Sequence, residues 1–405
     1  MPVNLPPLPP LHPVAGIRLG TTSAGIRKPN RRDLVLIECA AGTRAAATFT
    51  RNRFCAAPVT VAREHLAADS PRLLMINTGF ANAGTGEPGL RDARDCCQAA
   101  ANLFGYAGTE VIPFSTGVIG ERLPVDRIVA GLPTCRGALH TDGWVEAAHG
   151  IMTTDTQPKG SARQLNMGGK TVTVTGIAKG AGMIRPDMAT MLAFVATDAA
   201  LTQAALDAMV RDAVNRSFNR ITVDGDTSTN DACVLLATGQ AGNREIDAGS
   251  TDYASLLAVV RTVFVELAQA IVRDAEGATK FITVDVRGGA SEADCLDVAY
   301  TIAHSPLVKT AFFASDPNWG RILAAVGRAP ISHLDVGRVA IFLNDVCVVQ
   351  NGELAADYTE TSGQAVMRQA EIRIGVDLGA GDASARVWTS DLSHDYVSIN
   401  ADYRS

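Results

Sequence analysis

The chain has few of the features that would assign it to a membrane, a nucleic acid or an oxidising compartment. Its 405 residues are only 19% charged, with a net charge of −6 and no long run of one sign. Binding to nucleic acid or an anionic membrane through a basic face is therefore not expected. No basic region followed by an apolar core marks a signal peptide, and no apolar run approaches the ~20 residues of a membrane span. These absences predict a cytoplasmic protein.

Disulfides and metal sites are also not expected. The eight cysteines are scattered, without a Cys-x-x-Cys pair and without histidine at metal-ligand spacing. Cys233, within the run Ala-Cys-Val-Leu-Leu, is typical of cysteines that act as small core residues. We therefore predict reduced thiols, no structural disulfide and no metal.

What the chain does contain indicates a compact α/β protein. It is 47% hydrophobic but only 5% aromatic, and 405 residues exceed what one hydrophobic core usually serves. Strand-like and helix-like patterns alternate, as in layered α/β architectures. We predict a proline-rich, extended and poorly packed arm at 1–15, a larger domain at 16–282, and a smaller α/β domain at 283–405.

Local patterns predict individual elements of the larger domain. Leu34–Glu38 and Arg44–Phe49 flank a short turn and predict a strand pair. Leu73–Asn77 predicts a buried strand, and Leu256–Val272 a long helix. Val111–Phe114 predicts a short strand that ends at Ser-Thr-Gly117.

The segment from Lys179 to Leu192, K-G-A-G-M-I-R-P-D-M-A-T-M-L, is the most informative stretch of the chain. Thr190 could attack the carbonyl of Ala189 and break the chain there. The new N-terminus would carry a free α-amine beside the threonine hydroxyl, which activates that hydroxyl without histidine. Because an α-amine has an unperturbed pKa of about 7.7–8.0, it could accept the hydroxyl proton near neutral pH. The alternative is a threonine that merely opens a buried strand.

Other motifs could supply what a threonine nucleophile needs. Ser115-Thr116-Gly117 could present backbone donors to an oxyanion, or form an ordinary strand-end turn. Lys179 could bind a substrate carboxylate and lower the pKa of a nearby α-amine, or lie in solvent. Glu276 could hold a substrate ammonium group, or belong to a helix-ending turn. Asp224–Asp231 is rich in oxygen ligands but lacks the glutamate of a calcium loop, so a rigid supporting loop is predicted.

Ten motifs in order make the chain similar to one family, the ornithine acetyltransferases of arginine biosynthesis, from about Gly16 to the end. Each motif is weak alone, but the ordered set is specific. The motifs are F-T-R-N-R-F-C-A-A-P-V at 49–59, N-T-G at 77–79, A-N-A-G-T-G at 81–86, S-T-G-V-I-G at 115–120, M-T-T-D-T at 152–156, 179–192, V-D-G-D-T-S-T-N-D at 223–231, E-G-A-T-K at 276–280, D-P-N-W-G-R at 316–321 and the tail at 396–405. One departure is Phe80 in the loop Phe80-Ala-Asn82, where the family has Asn-Ala-Asn.

The resemblance implies a precursor that cleaves itself between Ala189 and Thr190 into α (1–189) and β (190–405) chains, assembled as α2β2. Thr190 would be the nucleophile, with Thr116 and Gly117 as the oxyanion hole. The implied substrate contacts are Thr153, Lys179, Thr190, Glu276, Asn400 and Ser405. The implied fold is a layered αββα sandwich resembling N-terminal-nucleophile hydrolases, with a smaller α/β domain whose last residues return to the active site.

The reaction implied by the resemblance is ping-pong transfer of acetyl from N2-acetylornithine to glutamate through an acyl-threonine, without a cofactor. Acetyl-CoA as an alternative acetyl donor stays open, since similar proteins can be mono- or bifunctional. Two other functions also stay open. A threonine-nucleophile aminopeptidase or amidase would release the acyl group to water, and an uncleaved chain with Phe80 could merely bind amino acids.

Overall fold

The computed structural model describes residues 2–185 and 191–402, so Ala189, Thr190 and Ser405 lie outside the described residues. The chain divides into two compact units. The larger holds Pro6–Asn219 and Thr227–Ile271, and the smaller holds Arg220–Asp226, the chain from Val272 onward and the first residues up to Leu5. The boundary predicted at 282/283 would cut a strand, Phe281–Gly289. Because strand residues share one hydrogen-bonded ladder, the observed division falls before that strand instead.

The larger unit contains two sheets and their covering helices. Its strands are β1 (Ile17–Thr22), β2 (Leu34–Cys39), β3 (Arg44–Phe49), β4 (Leu73–Phe80), β5 (Val111–Val118), β6 (Lys159–Met167), β7 (Lys170–Lys179), β8 (Leu192–Thr197) and β9 (Ala232–Ala237). Its helices are α1 (Ala57–Ala68), α2 (Gly86–Phe104), α3 (Val125–Gly137), α4 (Trp144–Gly150), α5 (Gln203–Asn215) and α6 (Thr251–Arg273), the last of which extends slightly beyond the unit.

The two sheets pack face to face. One has the order β1-β2-β4-β5 and the other β3-β9-β8-β7-β6. Alternate residues of β2, Val35 and Ile37, share one buried cluster with Ile177 of β7. The rings of Phe114 and Phe194, one from each sheet, meet edge to face with centroids 5.0 Å apart, a favoured aromatic geometry. The inner layer is thus a double sheet with an apolar core.

Helices cover both outer faces, which completes the predicted αββα sandwich. The other alternate residues of β2, Leu34 and Leu36, lie in a second cluster with the buried residues of α2 and α3. On the opposite side, a Cβ at Gly176 of β7 would lie 3.1 Å from Leu267 of α6. The period-two alternation of the strands therefore supplies one face to the inter-sheet core and the other to helices.

The predicted pairing of β2 with β3 is wrong, although both strands are present. β2 is hydrogen-bonded to β1 on one side and β4 on the other, so neither of its edges is available. β3 instead pairs with β9 in the other sheet. The turn between them, in which the Thr43 N–H donates to the carbonyl of Ala40 at 3.2 Å, connects the two sheets.

The N-terminal arm is extended but not poorly packed, contrary to the prediction. Val14 is fully buried and Val3 is 6% exposed. The Val3 N–H donates to the Arg273 carbonyl at 2.7 Å, and the Thr175 hydroxyl donates to the His12 carbonyl at 2.6 Å. Proline removes backbone donors but not apolar side chains, so the valines between the prolines still bury their surface.

Among the described residues, one helix, α6, is long and apolar enough to cross a membrane by length and composition alone. Its apolar residues Val260, Phe264 and Leu267 are nevertheless completely buried in the protein. Glu266 of the same helix accepts a hydrogen bond from the Ser161 hydroxyl at 2.5 Å. A helix buried in this way is a core helix of the sandwich.

The smaller unit is a mixed sheet with helices on one face. Its strands are β10 (Phe281–Gly289), β11 (Ala340–Leu343), β12 (Val346–Gln350), β13 (Glu353–Leu354), β14 (Glu371–Asp377) and β15 (Ala383–Ser390), and its helices are α7 (Glu292–Ala303), α8 (Pro306–Phe313), α9 (Trp319–Gly327), α10 (Glu360–Met367) and α11 (His394–Ala401). The strand order is β13-β12-β11-β14-β10-β15, with β10 and β14 parallel. One apolar cluster joins this sheet to α7, α8, α9 and α10.

Candidate active site

Thr116 and Gly117 lie within β5 rather than in a loop after it. The pairing of β4 with β5 shifts at Gly79, so that Phe80 faces both Thr116 and Val118. Gly117 has φ +136°, and a Cβ there would lie 2.3–2.6 Å from backbone atoms of Gly79 and Phe80. Only glycine fits this bulge. The predicted end of the strand is wrong, because β5 continues through this position to Val118.

The loop 227–231 supports this bulge. The buried amide of Asn230 donates to the carbonyls of Ala81 at 2.6 Å and Ser115 at 2.9 Å. The Thr229 hydroxyl donates to Asn230 Oδ1 at 2.6 Å, so the Asn230 side chain is held from both ends. These contacts agree with the predicted supporting loop. Sequence reasoning did not single out Asn230 itself.

Phe80, the departure from the family pattern, does not disturb the bulge. Its backbone carbonyl accepts a hydrogen bond from the Asn77 amide at 3.1 Å. Its ring is partly buried in the cluster beneath α2 and α3, and the Arg27 guanidinium lies 5.4 Å from the ring centroid. The ring thus packs toward the helices α2 and α3 that cover the sheet. The structure does not test its effect on catalysis.

Lys179 and Thr116 meet across the two sheets. Lys179 is the last residue of β7, and its Nζ lies 3.3 Å from Thr116 Oγ1. Leu192 of β8 pairs with Lys179, and the carbonyl of Met191 accepts the Ala232 N–H at 3.0 Å. The residue that follows Thr190 in the sequence is therefore buried beside the strand that carries Lys179.

Asp155 connects the segment of Thr153 to that of Lys179. One carboxylate oxygen accepts the Thr153 N–H at 2.9 Å. The other accepts the Gly180 N–H at 2.7 Å and the Lys159 ammonium at 2.7 Å. Burial alone would raise the pKa of Asp155, but the charges of Lys159 and Lys179 and the hydrogen bonds hold that pKa well below its usual range.

A second carboxyl, Asp231, is buried in the same unit, with 4% of its surface exposed. Burial raises its pKa well above the usual value, against the opposing effects of a hydrogen bond from Ser228 and the charge of Lys179. A carboxyl in this state keeps its proton at higher pH than an exposed aspartate. The pKa values of Asp155 and Asp231 therefore shift in opposite directions although both residues are buried, because Asp155 forms an ion pair with Lys159.

Glu276 and Asn400 meet in the smaller unit. Glu276 lies between α6 and β10, as predicted, and is 9% exposed. Asn400 of α11 donates from Nδ2 to Glu276 Oε2 at 2.8 Å. A Cβ at Gly277 would lie 2.5 Å from the Tyr396 backbone nitrogen, so glycine permits the close approach of α11. The tyrosine hydroxyl of this helix donates to Asp224 at 3.2 Å, and burial and that carboxylate raise the pKa of Tyr396.

The structure brings the predicted residues together in two groups. Thr116, Gly117, Thr153 and Lys179 belong to the larger unit, and Glu276 and Asn400 to the smaller. Their roles stay predictions, as do those of Ala189, Thr190 and Ser405 outside the described residues. Sequence reasoning missed several polar residues around them, namely the buried Asp155, Lys159, Asn230 and Asp231 and the half-buried Tyr396. In residues 2–185 and 191–402, no three His, Cys, Asp or Glu side chains are grouped as metal ligands.

Comparison with known proteins gives one consistent result. Residues 18–405 match the sequence model of the ArgJ family. The chain is 57% identical over 406 residues to the arginine biosynthesis bifunctional protein ArgJ of Pseudomonas syringae pv. tomato and 55% identical to that of Pseudomonas fluorescens, with 100% of each chain covered. It is 36% identical to the crystal structure of arginine biosynthesis bifunctional protein argJ from Bacillus halodurans, covering 50% of this chain and 95% of that chain, with a TM-score of 0.49.

Proposed function

The chain belongs to the ArgJ family, and on that premise we propose that it is a self-cleaving acetyltransferase of arginine biosynthesis. It moves acetyl from N2-acetylornithine to glutamate. The observation that carries this proposal is the family match over residues 18–405, which spans every site residue named above. The contact of Lys179 with Thr116 supports it, because it joins a cation to the strand of the predicted oxyanion hole.

Self-cleavage prepares the nucleophile. Thr190 Oγ attacks the carbonyl carbon of Ala189, the peptide C–N bond breaks, and the amine takes the proton that the hydroxyl gives up. Water then hydrolyses the resulting ester, which leaves a carboxylate on Ala189 and a free α-amine and hydroxyl on Thr190. Such an amine acts as the base for its own hydroxyl.

Acetyl transfer then takes two balanced steps. Thr190 Oγ attacks the acetyl carbonyl of N2-acetylornithine, its proton passes to the α-amine, and Thr116 and Gly117 stabilise the oxyanion. Collapse breaks the amide bond, and the departing ornithine amine takes the proton. The glutamate amine next attacks the acetyl-threonine ester, which yields N-acetylglutamate and restores the Thr190 hydroxyl. The donor brings its own acetyl group, so no cofactor is required. Acetyl-CoA is a further candidate donor for the first half, in which it would acylate Thr190 and leave as free CoA.

The substrate is anchored through its charges. Lys179 binds the α-carboxylate, and Glu276 binds the distal ammonium of ornithine, with Thr153, Asn400 and Ser405 as further contacts. Glu276 is mostly buried and accepts a hydrogen bond from Asn400, so its carboxylate is held in one orientation. The assembled enzyme is an α2β2 protein of the cytoplasm whose partners are small molecules, not nucleic acid or membrane.

The test begins with intact mass and acetyl transfer for the wild type, Thr190→Ala and Thr190→Ser. We expect two chains and transfer in the wild type, a single inactive chain in Thr190→Ala, and slower but detectable processing in Thr190→Ser, which keeps a hydroxyl. An uncut wild-type chain would remove the proposed base and with it this mechanism. Acetate release from N2-acetylornithine without glutamate, at the rate of transfer, would instead support the amidase.

A further inference from the structure

Asp155 and Lys159 form an ion pair that is completely removed from solvent. Both side chains have 0% exposure, and the Lys159 ammonium lies 2.7 Å from the Asp155 carboxylate. Taking two charges out of water costs more free energy than such a pair commonly returns, so a buried pair is weak evidence for a role in stability alone. The other hydrogen bonds of Asp155 indicate what else the pair does.

The Asp155 carboxylate fixes two backbone segments at once. It accepts the N–H of Thr153 and the N–H of Gly180, the residue next to Lys179. On its other side, the Thr153 carbonyl accepts a hydrogen bond from the Arg31 guanidinium at 3.0 Å. Thr153 and Lys179 are both predicted substrate contacts, and Asp155 is the group that links their backbones.

Lys159 maintains Asp155 in the state that this linkage needs. Three donors converge on the two carboxylate oxygens, which suits an ionised carboxylate better than a protonated one. Lys159 opens β6 opposite Ala178, the residue before Lys179. The cation, the carboxylate and the end of β7 therefore occupy one small region of the larger unit.

We propose that Asp155 and Lys159 are positioning residues of acetyl transfer, through which the end of β7 and the Thr153 segment are held so that Lys179 reaches Thr116. The proposal rests on the proposed function. Asp155 acts through Lys179 and Thr153 and does not itself touch substrate. Lys159 acts one step further away, by keeping Asp155 ionised.

The test compares Asp155→Asn, Lys159→Met and the double variant, after intact mass has established whether each chain is cut. We expect Asp155→Asn to raise KM for N2-acetylornithine about tenfold or more, with a smaller fall in kcat, because misplaced binding groups weaken substrate capture. Asp198→Asn is the matched control. Asp198 is a buried aspartate that accepts the Thr173 N–H at 2.8 Å at the far end of β8, and its loss should leave KM unchanged.

The double variant separates positioning from stability. It removes both buried charges, so its unfolding midpoint should recover relative to Lys159→Met, while its KM should stay raised. A KM that recovers together with stability would overturn the proposal, as would a wild-type KM in Asp155→Asn.

A binding measurement replaces kinetics if the Asp155→Asn chain is not cleaved. Ornithine binding is then compared between two uncleaved proteins, the Thr190→Ala single variant and the variant that carries both Thr190→Ala and Asp155→Asn. About tenfold weaker binding in the latter is expected, and equal binding would refute the linkage. Failure of the proposed function is distinct, since the wild type itself would then not transfer acetyl.

Discussion

Lys309 is a buried lysine of the smaller unit whose ammonium donates to Thr389 Oγ1 at 2.9 Å and to the carbonyl of Ser390. Burial lowers the pKa of Lys309 from 10.5 to about 8, although the charges of Asp391 and Asp224 oppose the shift. Between about pH 8 and 10.5 the unfolded chain holds a proton that the folded protein has lost. The free energy of unfolding should therefore rise with pH across this window, by about 3 kcal/mol at most.

Urea unfolding at several pH values checks this expectation. The rise should be absent from Lys309→Met and preserved in Lys170→Met, which removes an exposed lysine. Because other groups titrate over the same range, the informative quantity is the difference between wild type and variant. Parallel stability curves for wild type and Lys309→Met would contradict the lowered pKa.

Two lysines illustrate how far the burial of single residues could be predicted from the sequence. Lys159 opens β6 and Lys170 opens β7, yet the first is 1% exposed and the second is exposed. No local pattern distinguishes them, because the burial of Lys159 depends on tertiary packing, including the pairing of β6 with β7 opposite Ala178. Lys179 and Glu276, by contrast, were found through their places at element ends, which the chain order itself reveals.

At the scale of elements, the burial of α6 is testable by a pair of leucines. Leu267 is completely buried, whereas Leu257 on the same helix is only partly buried. We expect Leu267→Ala to lower the free energy of unfolding by about 2–5 kcal/mol through lost burial and a cavity, and Leu257→Ala to cost clearly less. Equal effects, or recovery of the protein in a membrane fraction, would contradict a core helix.

The elements themselves were more predictable than their partners. Apolar runs and helical spacing located β4 and α6, because burial of one face imposes a period on the sequence. The pairing of β3 with β9 joins residues 44–49 to 232–237, and no local turn signals it. The bulge at Gly117 likewise could not be predicted from the sequence, since it depends on the register of β4 against β5.

For the whole molecule, the strand order of the five-stranded sheet determines whether two chains produced by cleavage would stay together. A cut between 189 and 190 would assign β3, β6 and β7 to one chain and β8 and β9 to the other. In the order β3-β9-β8-β7-β6, the latter two strands lie between strands of the former chain. Across the boundary between the two chains, β7 pairs with β8 over six residue pairs, from Lys179 opposite Leu192 to Val174 opposite Thr197. The two chains should therefore co-elute in native gel filtration and separate only in denaturant, and separation in native buffer would contradict this.

The same strand order would determine how long a protein cleaved between 189 and 190 stays folded. In the uncut precursor, one covalent chain tethers β3 to β9, so their pairing is an intramolecular event. Once the tether is severed, rebuilding the sheet requires an encounter between two polypeptides, and its rate depends on their concentration. In dilute solution such encounters are rare, so unfolding is effectively irreversible. The lifetime of a cleaved protein would therefore be set by the height of its unfolding barrier, a kinetic property, rather than by the equilibrium stability of its fold.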